Sequence, residues 1–128
     1  MRRASTYSAN AESQLPLTPA VFHILLALAD QDRHGYAIIL DIAERTSGAM
    51  RLGTGTLYTA ISRLLEQGLI EEPDERPAAD EDDERRRYYR LTTFGRDVAN
   101  AEARRLAALV RMARSRGITG AVAEARAR

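Results

Sequence analysis

Apolar residues fall in four helix-spaced blocks along the chain, with two short β-forming runs between the third and the fourth. Val21, Phe22, Ile24, Leu25, Leu26 and Leu28 make the first block, apolar almost all round, which predicts a largely buried helix. Thr18 supplies a capping hydroxyl, and Pro19 stands where a helical N–H has no partner, so this helix opens there and runs to about Asp30. A polar turn follows at Gln31, Asp32 and Arg33. Tyr36, Ile38, Ile39, Ile42 and Ala43 then mark a second helix over residues 35–45, closed by Ser47 and Gly48.

Leu57, Ile61, Leu64 and Leu65 share one face of a third helix over about 54–67, with Gly68 as its stop. Its other face carries Thr56, Tyr58, Thr59, Ser62 and Arg63 in place of the Glu and Lys of an ordinary solvated surface. Short hydroxyls with an aromatic and a guanidinium suit contact with another molecule; a plain solvated face is the other reading. Residues 69–72 read as a short strand and residues 86–91 as its antiparallel partner. Thr92 or Thr93 caps a last helix over about 94–116, with an apolar stripe of Phe94, Val98, Ala101, Leu106, Leu109, Val110 and Ala113 and arginines 104, 105, 111 and 114 on other faces. At about 33 Å this helix outruns what the rest of the domain can cover, so part of the stripe needs a partner.

Composition narrows the function classes. The 128 residues suit one globular domain with its own core. The absence of cysteine excludes disulfides, thiolate metal sites and a cysteine nucleophile. The two histidines, His23 and His34, form no metal or general-base constellation and receive no function, so neither a catalytic site nor a metal or cofactor is expected. No stretch approaches the ~20 apolar residues that span a bilayer, and the first fifteen residues lack the apolar run of a secretory signal. A cytoplasmic protein without membrane contact is expected, with residues 1–15 as a disordered tail rather than a transit peptide.

Charge is unevenly placed. Residues 71–84 hold nine acids against one base, Arg76, a local net of −8 that leaves +9 on the rest of a chain whose total is +1. Every basic residue is arginine, which suits bidentate phosphate and guanine contacts and equally suits a GC-rich genome. Asp80, Glu81, Asp82, Asp83 and Glu84 stand beside Arg85, Arg86, Arg87 and Arg90. Either one pair of these arginines faces a polyanion, or they neutralise the acidic run.

Three helices, a two-stranded hairpin and a long helix follow the winged helix-turn-helix order, a mainly α fold with a small β-hairpin. Four motifs make the match specific: His34-Gly35-Tyr36, Gly55-Thr56-Leu57-Tyr58, the 64–70 run ending in Gly68-Leu69-Ile70, and Arg87-Tyr88-Tyr89-Arg90-Leu91-Thr92 with Gly95. In this order and spacing they resemble the PadR family of bacterial transcriptional regulators over about residues 15–113. The resemblance implies a winged helix-turn-helix DNA-binding domain over 16–92, a C-terminal dimerisation helix over 93–116 and a flexible end over 117–128.

It implies a homodimeric repressor that reads a pseudo-palindromic operator in double-stranded DNA, with half-sites about 10 bp or a multiple apart. The implied DNA-binding residues are Tyr36, Thr54, Thr56, Tyr58, Thr59, Ser62 and Arg63, with Arg85, Arg86 and Arg87 on the wing. Many members carry proline where this chain has Thr59. The implied dimer interface takes Phe22, Phe94, Val98, Leu106, Leu109, Val110 and Ala113. A small apolar or aromatic effector fits the same expectation, in a pocket near Phe22, Leu109 and Met112, although plain packing accounts for those residues as well. The alternative of another class is a winged-helix protein-interaction module that no longer binds DNA, its acidic wing serving as a docking arm. DNA affinity that falls with salt separates the two.

Overall fold

The computed structural model describes residues 10–74 and 87–119. The elements follow as α1 (Pro19–Ala27), β1 (Arg33–His34), α2 (Gly35–Arg45), α3 (Thr54–Glu66), β2 (Ile70–Glu71), β3 (Tyr88–Leu91) and α4 (Thr93–Ser115). Each helix start follows from its residues. Thr18 Oγ1 accepts the Val21 N–H at 3.2 Å, His34 Nδ1 accepts the Ala37 N–H at 3.2 Å, and Thr92 Oγ1 accepts the Gly95 N–H at 2.9 Å. Gly53, before α3, has no side chain to offer and leaves that helix start bare.

α1, α2 and α3 surround a core of Ile24, Leu25, Ile38, Ile42, Leu57, Ile61 and Leu64, completed by Leu69, Ile70 and Tyr89 from the sheet side and Val98 from α4. Burying each large aliphatic side chain stabilises the fold by roughly 1.5–3 kcal/mol, so the three-helix set and α4's first half form one body. Tyr89 and Leu91 point inward and Arg90 outward, as strand alternation requires.

The sheet corrects the two-stranded hairpin. Its order is β1–β3–β2, all antiparallel, with Arg33 opposite Tyr89, His34 opposite Tyr88, Ile70 opposite Leu91 and Glu71 opposite Arg90. The polar turn at residue 33 is therefore a strand start, because Arg33 and His34 supply β3 with a second ladder. Arg33 is held extended by side-chain bonds to the Ala27 carbonyl at 2.6 Å and the Asp41 carboxylate at 3.4 Å. A two-residue strand has no alternation to betray it.

α1 stops at Ala27 rather than near Asp30: the Leu28 and Ala29 N–H groups turn back to the Leu25 and Leu26 carbonyls at 3.1 Å, and arginine side chains take carbonyls at and just beyond the helix end. Arg33 takes the Ala27 oxygen at 2.6 Å and Arg96 of α4 takes the Ala29 oxygen at 2.8 Å. The disordered tail expected over 1–15 is corrected over residues 10–15. Asn10, Ala11 and Glu12 form a helical turn, Ala11 is 1% exposed in the core, and Leu15 and Leu17 pack against it. Residues 1–9, the acidic run 80–84, Arg85, Arg86 and most of the 117–128 end lie outside the described residues.

Candidate nucleic-acid interface

α3 divides sharply. Leu57, Ile61 and Leu64 are at most 2% exposed, while Thr54, Gly55, Thr56, Tyr58, Thr59, Ser62 and Arg63 all face outward. No hydrogen bond or ion pair within the described residues occupies the side chains of Thr56, Thr59, Ser62 or Arg63. The first turn of α3 adds uncapped N–H groups at the positive end of the helix, and a Cβ built at Gly55 meets nothing within 4 Å. An anionic oxygen can approach that backbone directly.

Tyr58 joins this face to the start of α2. Its phenol ring lies where a side chain on Gly35 would be: a Cβ there would stand 2.6 Å from Tyr58 Cζ. Gly35 is thus the residue that lets α2 and α3 approach at this angle. The packing leaves Tyr36 56% and Tyr58 45% exposed on one side of the helix pair. Tyr89 sits behind them. Its phenol is held above the ordinary value by burial first, then by Tyr58 and Glu72, against the opposing Arg87.

The wing arginines that can be seen are paired. Arg90 meets Glu71 at 2.9 Å across the ladder and Arg87 reaches Glu72 at 3.9 Å, so neutralisation of the acids is already under way at the base of the wing. Both pairs are solvent-exposed and contribute little to stability. Arg87 stays free enough to exchange Glu72 for another anion.

Gly95 is a second enforced close approach. A Cβ there would run into the Leu69 carbonyl and stand 2.9 Å from Leu91 Cδ1. Thr92 donates its hydroxyl to the Gly68 carbonyl at 2.6 Å, and its N–H bonds the Leu69 carbonyl at 3.1 Å. The Leu-Thr pair with its following glycine therefore locks the wing's exit strand and the start of α4 onto the turn after α3.

The expected interface residues separate into two groups. Val98 is fully buried within this chain, whereas Phe94 is half-buried and packs against its core. Both lie where α4 crosses α1 and the sheet. Beyond them, Leu106, Leu109 and Val110 are 37%, 46% and 49% exposed on one stripe with Ala113, and Phe22 is half-buried on α1.

Two features escape the sequence reading. Glu102 on α4 is 2% exposed and holds Arg105 bidentately at 2.7 and 2.8 Å. The Arg105 hydrogen bond chiefly, with the Leu17 N–H also donating, keeps this carboxyl below the ordinary carboxylate range despite its burial. Arg105 consequently lies half-buried beside the core instead of on an outer face. The available signal was positional: residues 98, 101, 102 and 105 share one helical stripe. The second feature is a groove between the start of α1 and the flank of α3, lined by Pro16, Leu17, Val21, Ala60, Arg63 and Leu64 among others.

Among the described residues no helix is long and apolar enough to cross a membrane. A stretch of the chain is 43% identical over 86 residues to an uncharacterized 37.1 kDa protein in transposon TN4556 of Streptomyces fradiae, covering 67% of this chain and 22% of that protein. The chain thus spans about a fifth of the length of that relative. Among solved structures it resembles a PadR family transcription regulator from Clostridium difficile, at 25% identity and a TM-score of 0.60, over 74% of this chain and 94% of that one. It also has the fold of Bacillus subtilis PadR in complex with operator DNA, at 20% identity and a TM-score of 0.54, over 67% of this chain and 47% of that one. The model of the PadR-like family of transcriptional regulators matches residues 24–101. With its winged helix-turn-helix and long C-terminal helix, the chain belongs to that family.

Proposed function

We propose that the chain is a sequence-specific DNA-binding repressor acting in the bacterial cytoplasm as a homodimer. The observation that carries this reading is the outer face of α3, whose hydroxyls and guanidinium have no partners within the described residues. The N-terminal turn, Thr54 to Thr56, takes backbone phosphates on its uncapped N–H groups and its threonine hydroxyls, with the helix dipole assisting. Thr59, Ser62 and Arg63 enter the major groove, where Arg63 reaches guanine O6 and N7 and a Thr methyl meets a thymine methyl. Tyr36 and Tyr58 hold the phosphates flanking α2, and Arg87, with Arg85 and Arg86, serves the neighbouring strand. That a relative of the same fold, B. subtilis PadR, is found with operator DNA supports the reading.

The dimer forms through the second half of α4. Leu106, Leu109, Val110 and Ala113 give a partly exposed apolar stripe, and a two-fold pairing covers it on both copies. The units of function are then residues 16–92 for DNA and 93–116 for the dimer, and a small effector releases the operator. Fluorescence anisotropy against the DNA upstream of the chain's own gene, beside a shuffled control, tests the proposal from about 50 to about 200 mM salt. The expected result is preference for the upstream sequence and a steep loss of affinity with salt. Absence of binding at any salt would favour a protein-interaction module instead.

A further inference from the structure

The second half of α4 carries a charge that neither the core nor the apolar stripe uses. Residues 103–119 hold five arginines and no acid. Glu102 takes Arg105, and Arg116 closes the helix end. Arg104, Arg111 and Arg114 remain, all exposed and without an ion pair or hydrogen bond among the described residues. At about 3.6 residues per turn, Arg104 and Arg111 stand within about 20° of each other and about 10 Å apart along the axis, with Arg114 about 60° further round. Leu106, Leu109, Val110 and Ala113 centre on the opposite side of the helix, so a second copy seated on that stripe leaves Arg104 and Arg111 in water. The side chains between the arginines are small, Ala107, Ala108 and Ser115, and the Ser115 hydroxyl donates back to the Met112 carbonyl at 2.7 Å.

We propose that this face grips the phosphate backbone of a second DNA duplex, so that one dimer joins two DNA segments. A protein partner needs a buried apolar or aromatic anchor, and the arginine face offers none. A single strand needs an aromatic platform for its bases, and α4 beyond Phe94 has no aromatic residue. A duplex backbone needs only closely spaced cations, and a guanidinium meets phosphate oxygens with two parallel N–H groups. The duplex is a second one because α3, Tyr36 and Arg87 hold the first, whereas α4 seats its first half on α1 and β3 and carries these arginines beyond them.

The inference goes beyond the proposed repression and rests on it for the first duplex and for the pairing of copies. Three phosphates neutralised per copy predict that affinity for the second duplex falls about fortyfold between about 50 and about 200 mM salt.

The test is energy transfer between two populations of a short upstream duplex, one carrying a donor dye and the other an acceptor, mixed with the full chain at about 50 mM salt. Transfer is expected with the wild type and should fade as salt rises. Arg104→Gln, Arg111→Gln and Arg114→Gln together should remove it while leaving helix content, sedimentation and affinity for a single upstream duplex unchanged. Lysine at the same three positions should restore it, since a backbone contact asks for charge alone. No transfer with the wild type, or undiminished transfer with the glutamine variant, would overturn the bridge. A loss of affinity for the single upstream duplex in the glutamine variant would overturn it too, because the arginines would then serve the operator's own duplex. Transfer that follows the expected pattern on upstream and shuffled duplexes alike would overturn sequence reading by α3 and leave the arginine face standing.

Discussion

The phenol ring of Tyr58 occupies the space that a side chain on Gly35 would need, so the second helix of the pair is seated on the first by one absent methyl group. Two short motifs far apart in sequence, His34-Gly35-Tyr36 and Gly55-Thr56-Leu57-Tyr58, are thereby two halves of one contact. The contact fixes the angle at which α3 presents its outer face.

Gly35→Ala should destabilise the fold by about 1–3 kcal/mol and weaken DNA binding, since the ring of Tyr58 must swing away. Tyr58→Ala in the same chain should recover most of the stability but not the affinity. Thermal denaturation of the four members of the cycle checks this, with non-additivity as the expected signature.

Gly95→Ala should be costlier, because the obstructing group is the Leu69 carbonyl, a backbone atom that also accepts the Thr92 N–H. Rotation of a side chain cannot relieve it. A loss above about 3 kcal/mol, or failure to fold, is expected by denaturant titration.

Gly55→Ala should separate stability from function. Nothing lies within 4 Å of the added Cβ, so the helix should gain roughly 0.5–1 kcal/mol. The same methyl stands between the first turn of α3 and a phosphate, so affinity for DNA should fall. Melting temperature and anisotropy on one preparation decide the matter.

Glu102 predicts an acid limb. Its folded-state carboxyl is held below the ordinary value of 4.5, so its contribution is fully present above that pH and is lost as pH falls through the lower folded value. Glu102→Gln should cost about 2 kcal/mol at neutral pH and flatten the decline in stability below pH 4.5. Unfolding of both forms across the acidic range is the measurement.

On α4, Leu109→Glu with Val110→Glu should yield monomers of unchanged helix content, because both residues are about half exposed in the single chain. Sedimentation and circular dichroism distinguish this from unfolding. Weaker operator binding should accompany it, since each copy then binds only a half-site.

Much of the frame is legible in the residues themselves. α2 can be placed over Gly35–Arg45 because its apolar spacing is unbroken and Ser47-Gly48 ends it. The burial of Tyr89 and Leu91 on either side of exposed Arg90 is in keeping with strand alternation. β1 is hidden because two residues carry no period, and because Arg33 reads as a turn residue until its bonds to Ala27 and Asp41 are seen. Val98 and Leu109 lie on one stripe, yet only the fold tells which end α1 and the sheet cover. Ala11 enters the core from a polar stretch with no apolar neighbour to announce it. The groove is a product of packing, since residue 17 and residue 60 meet only in three dimensions. The outer face of α3 is readable at once, because its residue types match neither a core nor an ordinary solvated surface.

The most direct test of a DNA-reading α3 is the affinity of the wild type, Thr56→Ala, Arg63→Ala and Arg104→Ala for upstream and shuffled DNA across the salt series. Thr56→Ala should weaken both complexes alike. Arg63→Ala should cost about 1–3 kcal/mol on the upstream sequence and erode its advantage over the shuffled one, as a base contact would. Arg104, exposed on α4, should behave as wild type. Full affinity and full discrimination in both α3 variants would contradict a reading of DNA by this face.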